Sequence, residues 1–217
     1  MTLLLALTIL LLIGNYFYYK QIHKYKVYLY IFAVILSAVS LTQEANLINL
    51  GYVGISFFLL VMFAGVVDKG DIKKSLLANR AEYAILGTIF ILAHGVHYLI
   101  SSVEYSYLFD GPLYFYIGII ALLIALPLFM TSFMLIRKKM KGKSWKKLHQ
   151  LSRLFYALIG LHLILLQNTR MYFYIAIFSL YFVMKLWTVI EQKLKKASKP
   201  QAATTLQLNQ KTKITVA

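Results

Sequence analysis

The chain has 217 residues, 60% of them apolar and only 14% charged, with a formal net charge of +16. Soluble domains carry about a quarter charged residues, so a water-soluble catalytic domain is excluded as the bulk of this chain. It contains no cysteine, which removes disulfide exchange, thiolate nucleophiles and iron–sulfur ligation.

The apolar residues come in long runs rather than alternating, a pattern of α-helices and not of a β-barrel. Roughly 20 apolar residues span the hydrocarbon core. Such runs fall at Thr2–Tyr19, Val27–Leu41, Leu50–Val67, Tyr83–Ser101, Leu113–Ile136, Leu151–Leu166 and Met171–Ile190. The second and sixth are short, and their ends extend into the interface. The expected fold is an all-α integral membrane protein, a helical bundle of about seven transmembrane helices. The first run lacks a basic leader and a small-residue cleavage site, and its positive charges follow it, so it reads as a retained helix and not a signal peptide. Pro127 is expected to kink the fifth helix. Residues 191–217 form a basic tail, too short and too polar to bury a core, and are expected to be disordered.

Charge alternates between the loops. Lys20, Lys24 and Lys26 follow the first run; Lys69, Lys73, Lys74 and Arg80 precede the fourth. Arg137, Lys138, Lys139, Lys141, Lys143, Lys146 and Lys147 separate the fifth from the sixth, and six lysines lie in the tail. The other loops hold Glu44, Glu104 and Asp110, with Arg170 as their one basic residue. By the positive-inside rule the N-terminus lies outside and the C-terminus in the cytoplasm of a multi-pass cell-membrane protein. The net charge thus reports topology and attraction to anionic lipid, and nucleic acid is not an expected partner. Tyr16, Tyr18, Tyr19, Tyr105, Tyr107 and Tyr114 stand at span ends as an interfacial aromatic belt.

Ionisable side chains inside a membrane are costly and mark functional sites. Here they are mainly histidines: His94 and His97 in the fourth run, His149 at the start of the sixth and His162 deep within it. His23, in a lysine-rich loop, reads as a solvated residue. A single membrane histidine is more often a hydrogen-bonding group than a ligand. His94 and His162, however, each stand eleven residues from the cytoplasmic start of their run. At 1.5 Å per residue both lie roughly 17 Å deep, and two neutral imidazoles at one depth suit axial ligation of a haem iron. His149 and His162 are thirteen residues apart, roughly 140° in azimuth on an ideal helix. For both to face one bundle axis, the helix must be irregular or His149 must sit in its first turn. His97 points roughly 60° from His94 and is either an alternative ligand or, as we favour, an interhelical or ligand-supporting residue.

Three segments carry a resemblance. Arg80–Tyr98, RAEYAILGTIFILAHGVHY, resembles the third core helix of the ferric reductase-like transmembrane family. Gly118–Ser132, GIIALLIALPLFMTS, is similar to the helix that follows it. Gly142–His162, GKSWKKLHQLSRLFYALIGLH, resembles the family's most diagnostic segment, a basic loop, Trp, Leu-His and a second His thirteen residues later. The similarity extends over roughly Leu50 to Ile190 and is nearest to the short MsrQ (YedZ)-type haem-binding membrane subunit. It implies a six-helix ferric reductase-like domain over residues 27–190, preceded by an extra helix and basic loop at 1–26. It also implies haem b between two helices, with His94 and His162 as the outer axial pair and His149 as one ligand of an inner pair. The inner partner position is Arg80, a poor iron ligand but a good carboxylate partner, so the resemblance supports one haem and leaves a second open. The activity implied is electron transfer from a cytoplasmic flavin reductase or quinol to an extracytoplasmic redox protein or ferric iron, with FMN or FAD entering through a partner. The chain lacks a glycine-rich nucleotide fingerprint. The competing expectation is a non-redox bundle, a small transporter or assembly factor whose histidines pack or bind a metal ion. A transporter would show broken helices and polar groups near the midplane, and intramembrane carboxylates are almost absent here, Glu82 standing at the edge.

Overall fold

A computed structural model describes residues 2–43, 46–67, 70–104, 107–166 and 170–215, and side chains for these except 104, 107, 108 and 195–215. Among the described residues every regular element is helical. The long apolar runs become α1 (Thr2–Lys24), α2 (Lys26–Ser40), α3 (Tyr52–Ala64), α5 (Arg80–Glu104), α7 (Leu113–Met130), α10 (Ser152–Leu166) and α11 (Met171–Thr215). Short helices α4 (Asp71–Ala78), α6 (Tyr107–Asp110), α8 (Met134–Arg137) and α9 (Gly142–Leu148) lie in the connections. Among the described residues five helical stretches are long and apolar enough to cross a membrane; the helices formed by the second and third runs are shorter. The α11 backbone stays helical across 191–215, the stretch read as a disordered tail.

Local chemistry sets the helix ends. Gly51, at φ 77°, turns the chain into α3 in a left-handed conformation that glycine adopts without a Cβ penalty. α7 ends at Met130, one turn after Pro127, and Thr131 closes it by donating both its N–H and its Oγ1–H to the Pro127 carbonyl. The N–H bond is the last i→i−4 bond of the helix, and the hydroxyl adds a second donor to the same carbonyl.

The core is centred on α3, which is buried along almost its whole length and packs tightly on α5. Gly54 and Gly87 allow the approach: a β-carbon on Gly54 would fall 3.1 Å from the Gly87 carbonyl oxygen and 2.5 Å from Ile91. Phe57 stacks on Phe90 across this contact, and Phe58 meets Phe155 of α10 edge-on. Large apolar side chains such as Leu10, Phe17, Phe32 and Trp187 stay exposed around the rim. A soluble protein does not leave such a surface bare; lipid tails cover it at no cost.

The first helix, read as an addition, is anchored to the bundle. Asn15, fully buried in α1, donates to Ser75 Oγ of α4 and accepts from Asn79 Nδ2 and from the Tyr83 hydroxyl of α5. Asn79 also donates to the Tyr19 carbonyl. Satisfied polar groups of this kind hold membrane helices together where apolar packing gives no advantage over lipid. Glu82 is buried beside them and pairs with His23 Nδ1 at 2.9 Å and Lys26 Nζ at 3.7 Å. His23, read as solvated, is thus half-exposed but paired.

Candidate functional site

The bundle brings four of the sequence-selected residues into two groups. His94 and His162 face each other towards the end of the bundle opposite the basic loops, their ring centroids 6.4 Å apart and their planes at 86°. α5 and α10, which carry them, are bridged by α7 rather than packed tightly on each other. Both rings are held from behind. His94 Nδ1–H donates to the Asn49 carbonyl at 2.6 Å, and His162 Nδ1–H donates to the Tyr114 carbonyl at 2.8 Å. A carbonyl oxygen only accepts, so the proton of each neutral imidazole sits on Nδ1 and the lone pair on Nε2. This is the arrangement that orients metal-ligating histidines.

Two glycines make room for the rings. A β-carbon on Gly118 would stand 3.0 Å from His162 Nδ1 and Cε1, and one on Gly51 would stand 3.3 Å from His94 Nδ1. Tyr98 packs against His94 at 4.9 Å between centroids, and Tyr114 against His162 at 6.2 Å. A metal ion held at about 2 Å by each of two imidazoles places their centroids roughly 6 Å apart, so the observed separation fits one shared axial metal. Among the described residues no group of three or more His, Cys, Asp or Glu side chains converges as the ligands of a bare ion would. Two imidazoles with Nε2 lone pairs have the donor chemistry that would hold a haem iron. His97 lies outside the pair, edge-on to Tyr98 at 5.4 Å.

Arg80 and His149 meet at the other end, the end of the basic loops. Arg80 opens α5 and His149 opens a short 3-10 turn, His149–Leu151, ahead of α10. That irregular turn meets the azimuth requirement set by the thirteen-residue spacing. His149 differs from the outer pair in its hydrogen bonding. Its Nε2 lies 3.0 Å from Thr131 Oγ1, itself 2.7 Å from the Pro127 carbonyl oxygen. A hydroxyl both donates and accepts, so this contact is made with either tautomer of His149, and it engages Nε2 rather than Nδ1. The His149 ring lies against Trp145 with centroids 4.3 Å apart and planes tilted by 33°, and the Arg137 guanidinium lies over the Trp145 ring at 4.3 Å. Trp145 also donates to the Thr131 carbonyl. Behind these rings lies a cavity of about 480 Å³, lined among others by Arg80, His149, Arg153 and Lys185.

The sequence reading missed Asn49, Tyr114, Thr131 and Trp145 as supporting groups. Three of the four act through a backbone carbonyl or a hydroxyl, which leaves little residue-specific signal. The glycines beside the histidines were the available clue.

Residues 50–160 match the ferric reductase like transmembrane component family. The chain belongs to this family. The matched stretch includes Arg80, His94 and His149 and ends two residues before His162. Membership in the ferric reductase-like family points to electron transfer in a membrane, consistent with several apolar helices and a multi-pass protein. An uncharacterised protein of Treponema pallidum (strain Nichols) is 32% identical over 118 residues, 50% of this chain and 32% of that protein. The chain thus spans about a third of the length of this curated relative. No solved structure matches the chain.

Proposed function

We propose that this protein is a haem b membrane subunit of MsrQ type that carries electrons across the bilayer. The observation that supports it most is the His94–His162 pair, 6.4 Å apart with both Nδ1 protons committed to carbonyls. A bound haem would supply a one-electron carrier in a site that water reaches poorly. The chain's part is to present two Nε2 lone pairs, fix the ring orientations through Asn49 and Tyr114, and keep the site apolar. His94 and His162 are the proposed axial ligands. Arg80 and His149 belong to the other end of the path, where electrons enter.

In this reading all seven apolar helices span the membrane, with residues 27–190 forming the haem domain and 1–26 an added helix. The basic loops face the cytoplasm, the N-terminus lies outside and the C-terminus inside. The donor is a cytoplasmic flavin reductase, bringing FMN or FAD, or a membrane quinol. The acceptor is an extracytoplasmic redox protein or ferric iron. The test is the colour of the full-length protein purified from haem-replete cells. A sharp reduced α-band and the pyridine haemochrome of unmodified haem b are expected. A colourless protein overturns the reading and leaves a non-redox helical bundle.

A further inference from the structure

The cavity at the basic end has walls and charges that the electron-transfer reading does not use. Its inner walls are apolar, including Phe58, Val61, Met62, Ala125 and Leu128. Five cationic side chains line it: Arg80, Arg137, Lys146, Arg153 and Lys185. Among the described residues its one lining carboxylate, Glu82, is engaged by His23 and Lys26.

Lys185 is the most telling of these. It lies within the apolar stretch Met171–Leu194 of α11 rather than beyond its end. Its Nζ reaches inward to 3.9 Å from where a Gly65 β-carbon would sit, within electrostatic range of Arg153 and Arg80. An ammonium inside a span is expensive and normally faces an opposite charge. This one lines a cavity together with two guanidiniums, Arg80 and Arg153. Positive-inside topology requires basic loops, but it gives no reason for three cations on three helices to converge on one internal cavity. An anion shared among them does.

We propose that this cavity binds a phosphate-bearing amphiphile, with the phosphate on Arg80, Arg153 and Lys185 and the apolar body against Phe58, Met62 and Ala125, and that it holds no second haem. Guanidinium forks match phosphate oxygens in bidentate fashion, and lysine adds a point charge. The apolar walls select a ligand with an apolar body over a bare ion. A second haem lacks a ligand pair: His149 shares the cavity with Arg80, which is no iron ligand, the His149 Nε2 is engaged at 3.0 Å by Thr131 Oγ1, and His23 is paired with Glu82. Two sources offer this chemistry, an anionic lipid of the surrounding bilayer and a soluble phosphate ester. The inference depends on the proposed function only for the haem count.

The experiment uses the full chain in a phosphorus-free nonionic detergent. Phenyl phosphate is titrated calorimetrically, with phenol as the uncharged control. In parallel, protein from phosphatidylcholine vesicles with or without one-fifth phosphatidylglycerol is extracted, and retained phosphatidylglycerol is counted by mass spectrometry. Saturable binding of one phosphate per chain is expected, weakened about tenfold or more in Arg153→Gln and in Lys185→Gln. Lys143→Gln, on a residue outside the cavity lining, should bind normally. Retained phosphatidylglycerol that blocks phenyl phosphate identifies lipid as the source; undiminished phenyl phosphate binding identifies a soluble ester. Helical circular dichroism checks each fold, and Lys185→Gln alone decides if Arg153→Gln misfolds. The proposal is overturned if neither probe binds saturably, or if the cavity variants bind like the native chain. It is also overturned if the protein carries two haems and His149→Ala loses one. Phosphate binding is measurable in a colourless protein, so failure of the haem reading and failure of this one remain separate.

Discussion

Gly118→Ala tests the proposed haem site without touching a ligand. The added β-carbon would stand 3.0 Å from His162 Nδ1 and Cε1, whereas non-bonded heavy atoms settle at about 3.5–4.0 Å. The ring must withdraw by roughly 0.5 Å, or α7 must move by as much. The Nδ1–H bond to Tyr114, now 2.8 Å, would stretch to the edge of the hydrogen-bond range. Losing such a bond costs about 1 kcal/mol in stability, while loss of a ligand-orienting partner costs about 10–100-fold in metal affinity. Haem release to excess apomyoglobin should therefore accelerate about 10–100-fold, with the reduced α-band broadened. Gly142→Ala is the control, because nothing lies within 4 Å of its β-position. If Gly118→Ala folds with native helix content and releases haem at the native rate with an unchanged spectrum, the Gly118–His162–Tyr114 contact does not hold the ligand.

Further predictions address the ligands, the anchor and the topology. His94→Ala and His162→Ala should each lose haem or become high-spin, and His149→Ala should keep the low-spin spectrum; the reverse pattern moves the site to the basic end. Asn15→Ala strands Ser75, Asn79 and Tyr83 and should cost about 1–3 kcal/mol, read as a lowered midpoint of thermal unfolding in detergent; an unchanged midpoint removes α1 from the folded unit. A reporter active only in the cytoplasm should work when fused after Ala217. Activity from an extracytoplasmic reporter alone would reverse the proposed electron path.

The residues from Arg80 to His162 divide what could be read in the sequence from what could not. Helix placement followed from local composition: apolar runs must become helices in lipid because every backbone group needs a partner, and the long runs do form helices. The two outer histidines could be matched because depth accumulates at a fixed rise from the start of each run, a quantity counted along the chain. The thirteen-residue spacing called for either an irregular helix or a His149 in its entry turn, and a 3-10 turn begins at His149.

Folding alone decided which atoms of the histidines are available. The acceptors that set the tautomers of His94 and His162 come from residues 45 and 48 positions away, and both are backbone carbonyls, which every residue possesses. His149 is engaged through its other nitrogen, Nε2, by the Oγ1 of Thr131 at the end of α7. Likewise Lys185, which composition alone would let snorkel outward, lines the same cavity as Arg153 and Arg80, residues of two other helices. The sequence by itself determined which segments are apolar helices and at what height along them the outer histidines stand, because hydropathy and helix rise are local and periodic. Which lone pairs and charges meet depends on contacts between distant segments, and only the tertiary structure decided that.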